Sequence, residues 1–314
     1  MFKRNRLKHK MICIGIIIFA SILYNEFLVY EIQKFKWALR DCKDCVKVLL
    51  VADPQILGEK NEDYTGSWLA RWDSDRYLEK TFSRALRYSQ PHVIAFLGDL
   101  MDEGHIANAE KFNKYKKRLD SIFQTPDNIM KIYLPGDNDI GGEEDKVSTN
   151  IQNRFHYAYS QPDVLVYKRV TFFKVIKELS PQIIFTAHEH KALHISLDTA
   201  TDQLSEVWIL PPHETPLYQL RMDVGDIHEV QIPTCSYRMG VRNMGYGIAY
   251  IDTQEKIVEF TILWLPNRFL QLKIYIFIII LVILLLLCSC ICTCCSKTYT
   301  TYNRIPTISQ YSKS

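Results

Sequence analysis

The sequence predicts an α/β protein, layered in the α+β manner and set between two transmembrane helices. Three observations predict it. Four apolar, strand-type runs alternate with charged stretches of helical spacing. Each of those runs ends in acids or histidines. Two long apolar stretches flank the whole, and roughly 20 apolar residues carry a helix across a bilayer's hydrocarbon core.

The first expected span, residues 11–31, opens "MICIGIIIFASILYNEFLVY", in which Glu26 is the one charge. A cleaved signal peptide is the competing reading. The run is longer than a signal core and no small-x-small cleavage site follows it, which favours an uncleaved anchor. The second span, residues 271–292, contains "LKIYIFIIILVILLLLCSCIC". The tail of residues 1–10 holds Lys3, Arg4, Arg6, Lys8 and Lys10 and no acid, so the positive-inside rule puts it in the cytosol. Two spans return the Cys-rich tail, residues 293–314, to the same side, and residues 32–270 become lumenal. The net charge of +3 mostly reflects these basic tails. No stripe of basic and aromatic residues points to nucleic acid.

The nine cysteines sort by compartment. Cys288, Cys290, Cys292, Cys294 and Cys295 crowd the cytosolic end of the second span, as palmitoylated cysteines do. Zinc is the weaker reading there, since no histidine is near. Cys42 and Cys45 lie on the oxidising side and suit a short-loop disulfide or a redox pair. No thioredoxin-like βαβ setting surrounds them, so the disulfide is expected, with Cys235 left unpaired.

The element order follows from hydrophobic runs. "VKVLLVAD" (46–53), "HVIAFLGD" (92–99), "IMKIYLPGDND" (129–139) and "PQIIFTAHEH" (181–190) read as strands. Helices are expected over residues 76–88 and 108–123. "DVLVYKRVTFFKVIKELSPQ" reads as one strand joined straight to a helix, and "EVWILPP", "HEVQIP", "YGIAYID" and "KIVEFTILWL" as shorter strands.

The strand ends carry the chemistry. Asp53 and Gln55, Asp99, Asp137, and His188 and His190 follow the four runs in turn. In open α/β sheets, ligands bind beyond the carboxyl ends of strands. On an extended segment, residues i and i+2 point to one side, so each such pair is able to grip one ion. Carboxylates mixed with imidazoles suit Mn, Fe or Zn better than Ca or Mg. A bridging acid such as Asp99 makes a two-metal cluster plausible, and such clusters activate water and clamp a phosphoryl group. Around these ligands, Asp139 reads as a capping or supporting acid. Asp102 and Glu103 stand evenly between a solvated loop and support of the site. His105 is expected at the surface, His156 on a helix, and His194 and His213 as satisfied structural residues. Tyr237 and Arg238 divide evenly between substrate contact and strand packing.

"D-x-Q", "GD", "GDND" and "HEH" in this order resemble the calcineurin-like metallophosphoesterases. That resemblance implies a two-sheet β-sandwich core flanked by helices. It implies a first metal held by Asp53, Gln55 and His190, with Asp99 bridging to a second held by Asp137 and His188. Gln55 stands where the family usually has histidine, and an amide oxygen is the harder ligand, which leans the two divalent ions towards Mn2+. Asn138 stands in the place of a histidine that steers the phosphate or protonates the leaving group, so Asn138 and Asp99 are the catalytic candidates. Ala187 replaces the first glycine of the family's last motif. The middle segment, from about residue 160 to 175, is shortened, and a further metal histidine of the family is missing with it.

The implied function is a phosphodiesterase that removes ethanolamine phosphate from a mannose of the GPI anchor and helps GPI-anchored proteins leave the endoplasmic reticulum. The implied location is the endoplasmic reticulum to Golgi membrane, with GPI-anchored proteins or GPI lipid as substrate and cargo-receptor or coat contacts through the cytosolic tails. The alternative is a catalytically impaired, shortened isoform or pseudoenzyme that binds cargo at the membrane.

Overall fold

The computed structural model describes residues 2–61, 64–142, 146–162, 164–167, 170–173, 181–198, 203–212, 216–222 and 225–302. Along the chain run α1 (Phe2–Leu23), α2 (Val29–Gln33), β1 (Val46–Val51), α3 (Ser67–Ser89), β2 (Val93–Leu97), α4 (Ala109–Ile122), β3 (Met130–Leu134), α5 (Asp137–Ile140), α6 (Thr149–Ala158), β4 (Val164–Tyr167), β5 (Val170–Phe173), β6 (Ile183–Thr186), β7 (Leu193–Asp198), β8 (Gln203–Ile209), β9 (Tyr218–Arg221), β10 (Asp226–Gln231), β11 (Gly245–Asp252), β12 (Ile257–Trp264) and α7 (Arg268–Tyr302). Val29–Arg268 make one compact unit, and the segments before and after it make another.

Two helices are long and apolar enough to cross a membrane, His9–Lys36 and Arg268–Ile291; the flanking unit holds the first up to Leu28 and the second from Phe269. Polar groups away from water need partners within the protein. Asn25 Nδ2 donates to the Gln271 carbonyl at 3.3 Å, and Tyr275 Oη donates to Glu26 Oε1 at 2.9 Å. A single π turn, Tyr24–Leu28, carries Asn25 and Glu26. Cys288 and Cys290 are exposed on α7, and Cys292, Cys294 and Cys295 follow on the same helix.

The other unit is a sandwich. Its larger sheet runs β3-β2-β1-β11-β12-β9, and the smaller runs β6-β10-β7-β8. Alternation along β1 explains the layering, because successive side chains of a strand point to opposite faces. Val46, Val48, Leu50 and Ala52 pack in a core with Ala192, Leu210, Val230 and Ile232 of the smaller sheet. Leu49 and Val51 face the other way, onto Tyr77, Leu78 and Phe82 of α3 and Phe112 and Tyr115 of α4. The expected two-sheet α/β core is thus the observed one, with α3, α4 and α6 on the larger sheet.

Some boundaries differ from the sequence reading. α3 begins at Ser67, well before residue 76, after Gly66 turns the chain at φ 91°. Its first turns leave Trp68, Leu69 and Trp72 exposed, which hides the amphipathic period there. α4 matches, and Asn108 caps it by accepting from the Lys111 N–H at 2.9 Å. The run from 164 is not one strand but the hairpin of β4 and β5. The expected helix after it falls on residues 174–180, outside the described residues. Cys42 and Cys45 pair as a disulfide with Cα–Cα 5.7 Å, and Cys235 is free and buried.

Candidate metal centre

β1, β2 and β3 are neighbouring parallel strands, so their carboxyl ends share one edge. Asp53 and Gln55 follow β1, Asp99 follows β2 and Asp137 follows β3. The smaller sheet reaches the same edge through β6: the Ile232 N–H donates to the Thr186 carbonyl, and Thr234 bridges to Ala52. His188 and His190 follow β6 there.

The side chains do not converge by strand pleat, as the i, i+2 spacing suggested. Asp53, Gln55, Asp99, His188 and His190 sit at φ 44°, 37°, 49°, 85° and 56°. Left-handed backbone costs a non-glycine residue roughly 1–2 kcal/mol. Among the described residues, only Gln90 and Lys256 otherwise adopt it without being glycine. Strain gathered at one set of side chains marks a functional site held in place by its surroundings.

Ligand atoms of Asp99, Asp137 and His188 lie within 4.8 Å of one another, and His188 Nδ1 is 3.3 Å from Asp137 Oδ1. Both carboxylate oxygens of Asp53 are 3.3 Å from the His188 N–H. Gln55 Nε2 donates to Asp99 Oδ2 at 3.2 Å, and the Asn138 N–H donates to Asp99 Oδ1 at 3.0 Å. The Asn138 side chain also bonds to Asp99. Gly136 makes this approach possible, since a Cβ there would stand 2.0 Å from Asp99 Oδ1.

Charge at the site is unbalanced. Burial raises the Asp53 pKa to about 7, and the Asp99 carboxylate adds to the shift. Burial and Asp137 raise Asp99 as well. Burial lowers His190, whose charge Asp99, His188 and Asp137 also affect, which places it at the same cluster. The groups acting most strongly on Asp53 and Asp99 are acids, histidine and amides, with no lysine or arginine. Buried carboxylates set beside imidazoles make a donor set that fits divalent metal.

Surrounding groups lock this arrangement. Asp139, fully buried, accepts from the N–H groups of Leu100 and Met101 at 3.1 Å and of Gly136 at 3.0 Å. It therefore ties the loop after β2 to the loop after β3, as a supporting acid. Buried Glu103 accepts from the N–H groups of Glu59 and Lys60 and from Tyr115 Oη, holding the loop that follows Gln55. Thr234 Oγ1 donates to the Asp53 carbonyl at 2.8 Å. The sequence reading missed Thr234, which directly follows the "HEVQIP" run.

The remaining candidates sort by contact. Tyr237 is buried, edge-on to Tyr77, and its hydroxyl donates to Asp73 Oδ2 at 2.8 Å. Packing, rather than a substrate contact, is what the geometry gives it. Arg238 is half-buried beside it. His105 is not a free surface residue: its N–H donates to the Asn138 carbonyl at 2.8 Å and its ring meets the same oxygen. His156 is exposed on α6, and His194 is buried on β7 with Nε2 3.2 Å from His228 Nδ1. His213 lies outside the described residues.

No family model matches the chain. It is similar to curated proteins named Metallophosphoesterase 1. Identity to the one from Ailuropoda melanoleuca is 28 % over 173 residues, covering 52 % of this chain and 43 % of that protein. Identity to the one from Xenopus laevis is 29 % over 194 residues, covering 58 % and 42 %. The Metallophosphoesterase 1 homolog from Drosophila melanogaster is 30 % identical over 132 residues, covering 40 % and 35 %. The chain spans less than half the length of the curated relatives it matches.

Proposed function

Because the chain is a homologue of metallophosphoesterases and carries a candidate divalent-metal site, we propose that it is a membrane-anchored, metal-dependent phosphodiesterase. One observation carries the reading: five residues expected as ligands take the left-handed backbone at one edge of the sandwich. Asp53, Gln55 and His190 would hold one ion, and Asp137 and His188 the other, with Asp99 shared. Ions bound there supply a lowered pKa for water and neutralise charge on a phosphoryl group.

The chain's own residues set the geometry for that chemistry. Asn138 fixes the Asp99 carboxylate through backbone and side-chain donors. The His188 N–H fixes Asp53. Asp139 holds both acid-bearing loops in register. Asn138 supplies hydrogen-bond donors but no proton, so protonation of a leaving group falls to solvent.

By kinship, the proposed substrate is the ethanolamine phosphate on a mannose of the GPI anchor. The proposed setting is the lumenal face of the endoplasmic reticulum to Golgi membrane, with Mn2+ as the metal, GPI-anchored proteins as partners and palmitoylation of the cysteines at the end of the second span. Metal analysis and phosphodiester hydrolysis by the full chain test the reading. Two manganese ions per chain and hydrolysis that falls about a thousandfold in Asp99→Asn support it. A second reading, a metal-poor protein that binds cargo without turnover, draws on the bonding of the Asn138 side chain to Asp99. One ion or none, with no hydrolysis of GPI lipid, decides for it.

A further inference from the structure

α3 carries a stripe of large side chains that its own fold does not cover. Trp68, Leu69 and Trp72 are 66 %, 51 % and 53 % exposed. Spacings of three and four residues put them on one face, with Arg76 next along it and its guanidinium 5.3 Å from the Trp72 ring. The opposite face, with Ser74, Tyr77, Leu78, Thr81, Phe82 and Ala85, is buried against the sheet. Two tryptophans and a leucine in water are costly, and a grouped exposed apolar patch marks a surface with an occupant.

The same helix is fastened to both places where the chain turns towards its apolar spans. Asp73, adjacent to Trp72, binds buried Arg268 through its carboxylate, with Arg268 Nε 3.1 Å from Asp73 Oδ2. Arg268 is the first residue of the second candidate span. On the other side, Arg84 Nε donates to Glu31 Oε1 at 3.1 Å, and Tyr77 packs on Tyr30 with ring centroids 6.3 Å apart. Tyr30 and Glu31 belong to the last turns of the first candidate span. At 1.5 Å rise per residue, Trp68 is about 7 Å along the helix from Asp73.

We propose that Trp68, Leu69 and Trp72 insert into the interfacial layer of the bilayer that the chain itself spans, anchoring the Val29–Arg268 unit to that surface. Tryptophan favours this layer, where its ring meets acyl chains and its N–H meets headgroups. Arg76 beside Trp72 suits the phosphates of the headgroups. The anchor also bears on the metal centre, because residues 234–237 bond both Asp53 and Asp73. The inference rests on both helices spanning the membrane, not on the catalytic reading.

The test uses the full chain in lipid nanodiscs, one chain per disc, with phosphatidylcholine brominated near the headgroup end of its acyl chains. Of the five tryptophans, Trp37 and Trp264 are buried and Trp208 lies on β8. Quenching of the intrinsic fluorescence is expected to fall about twofold or more in Trp68→Phe/Trp72→Phe, and to stay unchanged in Trp208→Phe. Equal quenching in parent and double variant would overturn the proposal, as would quenching by aqueous acrylamide in its place. Quenching found only where two chains share a disc would assign the patch to a second copy and overturn it too. Ile280→Trp in the double-variant background, read with lipids brominated deep in the chain, reports the span by itself. If it is quenched while Trp68 and Trp72 are not, the anchor fails and the membrane reading stands.

Discussion

Asp53, Asp99 and Asp137 follow three neighbouring parallel strands of the larger sheet, whereas His188 and His190 follow β6, the edge strand of the smaller one. The acids are clamped. Asp53 and Asp99 are buried, and Asp99 receives bonds from Gln55 and Asn138. Asp139 gathers three N–H groups behind them. Among the described residues no such frame holds the histidines: His188 is exposed and its N–H to Asp53 is a long 3.3 Å. Charge explains the difference. Like charges must be held together against repulsion and desolvation, and only a rigid shell does that. The imidazoles offer ring nitrogens that a metal is able to order when it binds.

The largest effect should come from breaking the acid half through its backbone. Gly136→Ala puts a methyl group 2.0 Å from Asp99 Oδ1 and 2.4 Å from the Asp99 nitrogen. Both loops must separate, so manganese affinity should fall about a hundredfold by calorimetric titration. A variant that keeps parental affinity would show that the loops are not clamped as described.

Asp139→Asn comes next. It replaces one acceptor with an NH2 that faces N–H donors in a buried position, so a loss of about 1–3 kcal/mol in thermal or chemical unfolding is expected. Asp139 itself titrates high, at about 7, because burial outweighs its three donors. A variant as stable as the parent would make Asp139 a spectator.

How far the sequence foretold this comparison depends on the residue. The candidate ligands stood out because apolar runs end where the chain meets water, and charged residues there need a reason. Their backbone was not legible: left-handed turns at Asp53, Gln55, Asp99, His188 and His190 are imposed by tertiary contacts, since none of these is glycine. β7 was missed for a related cause. In "LHISLD" the polar His194 and Ser196 are the buried residues, while Leu193 and Ile195 are half-exposed, so its alternation runs opposite to a usual strand. The Asp73–Arg268 pair joins residues far apart in sequence and left no local signal.

His188→Ala and His190→Ala sharpen the contrast from the other side. Each should reduce bound manganese, and His188→Ala should take the ion shared with Asp137. Neither should shift unfolding of the metal-free chain by more than about 0.5 kcal/mol, because no buried frame depends on the rings. A large loss of stability in metal-free His188→Ala would show that the histidine half is scaffolded after all.

The last contrast is one of pH, and its sign separates the halves. Asp53 in the folded chain binds its proton up to about 7, above the ordinary carboxylate value, and Asp99 is raised in the same direction. The folded state therefore holds these protons more tightly than the unfolded chain does. The stability this contributes is fully present in acid, below the ordinary value, and is lost as pH rises towards 7. Metal reverses the dependence, because the same carboxylates must lose their protons to bind it, so manganese affinity should climb over that interval. Thermal unfolding from pH 4.5 to 7.5, with chelator and with manganese, gives opposite slopes if the acid half bears the cost. Asp53→Asn should make the chelator curve shallower, with Asp99 and Asp139 keeping part of the slope, while His190→Ala does not make it shallower, and parallel curves in the two variants would place the burden elsewhere.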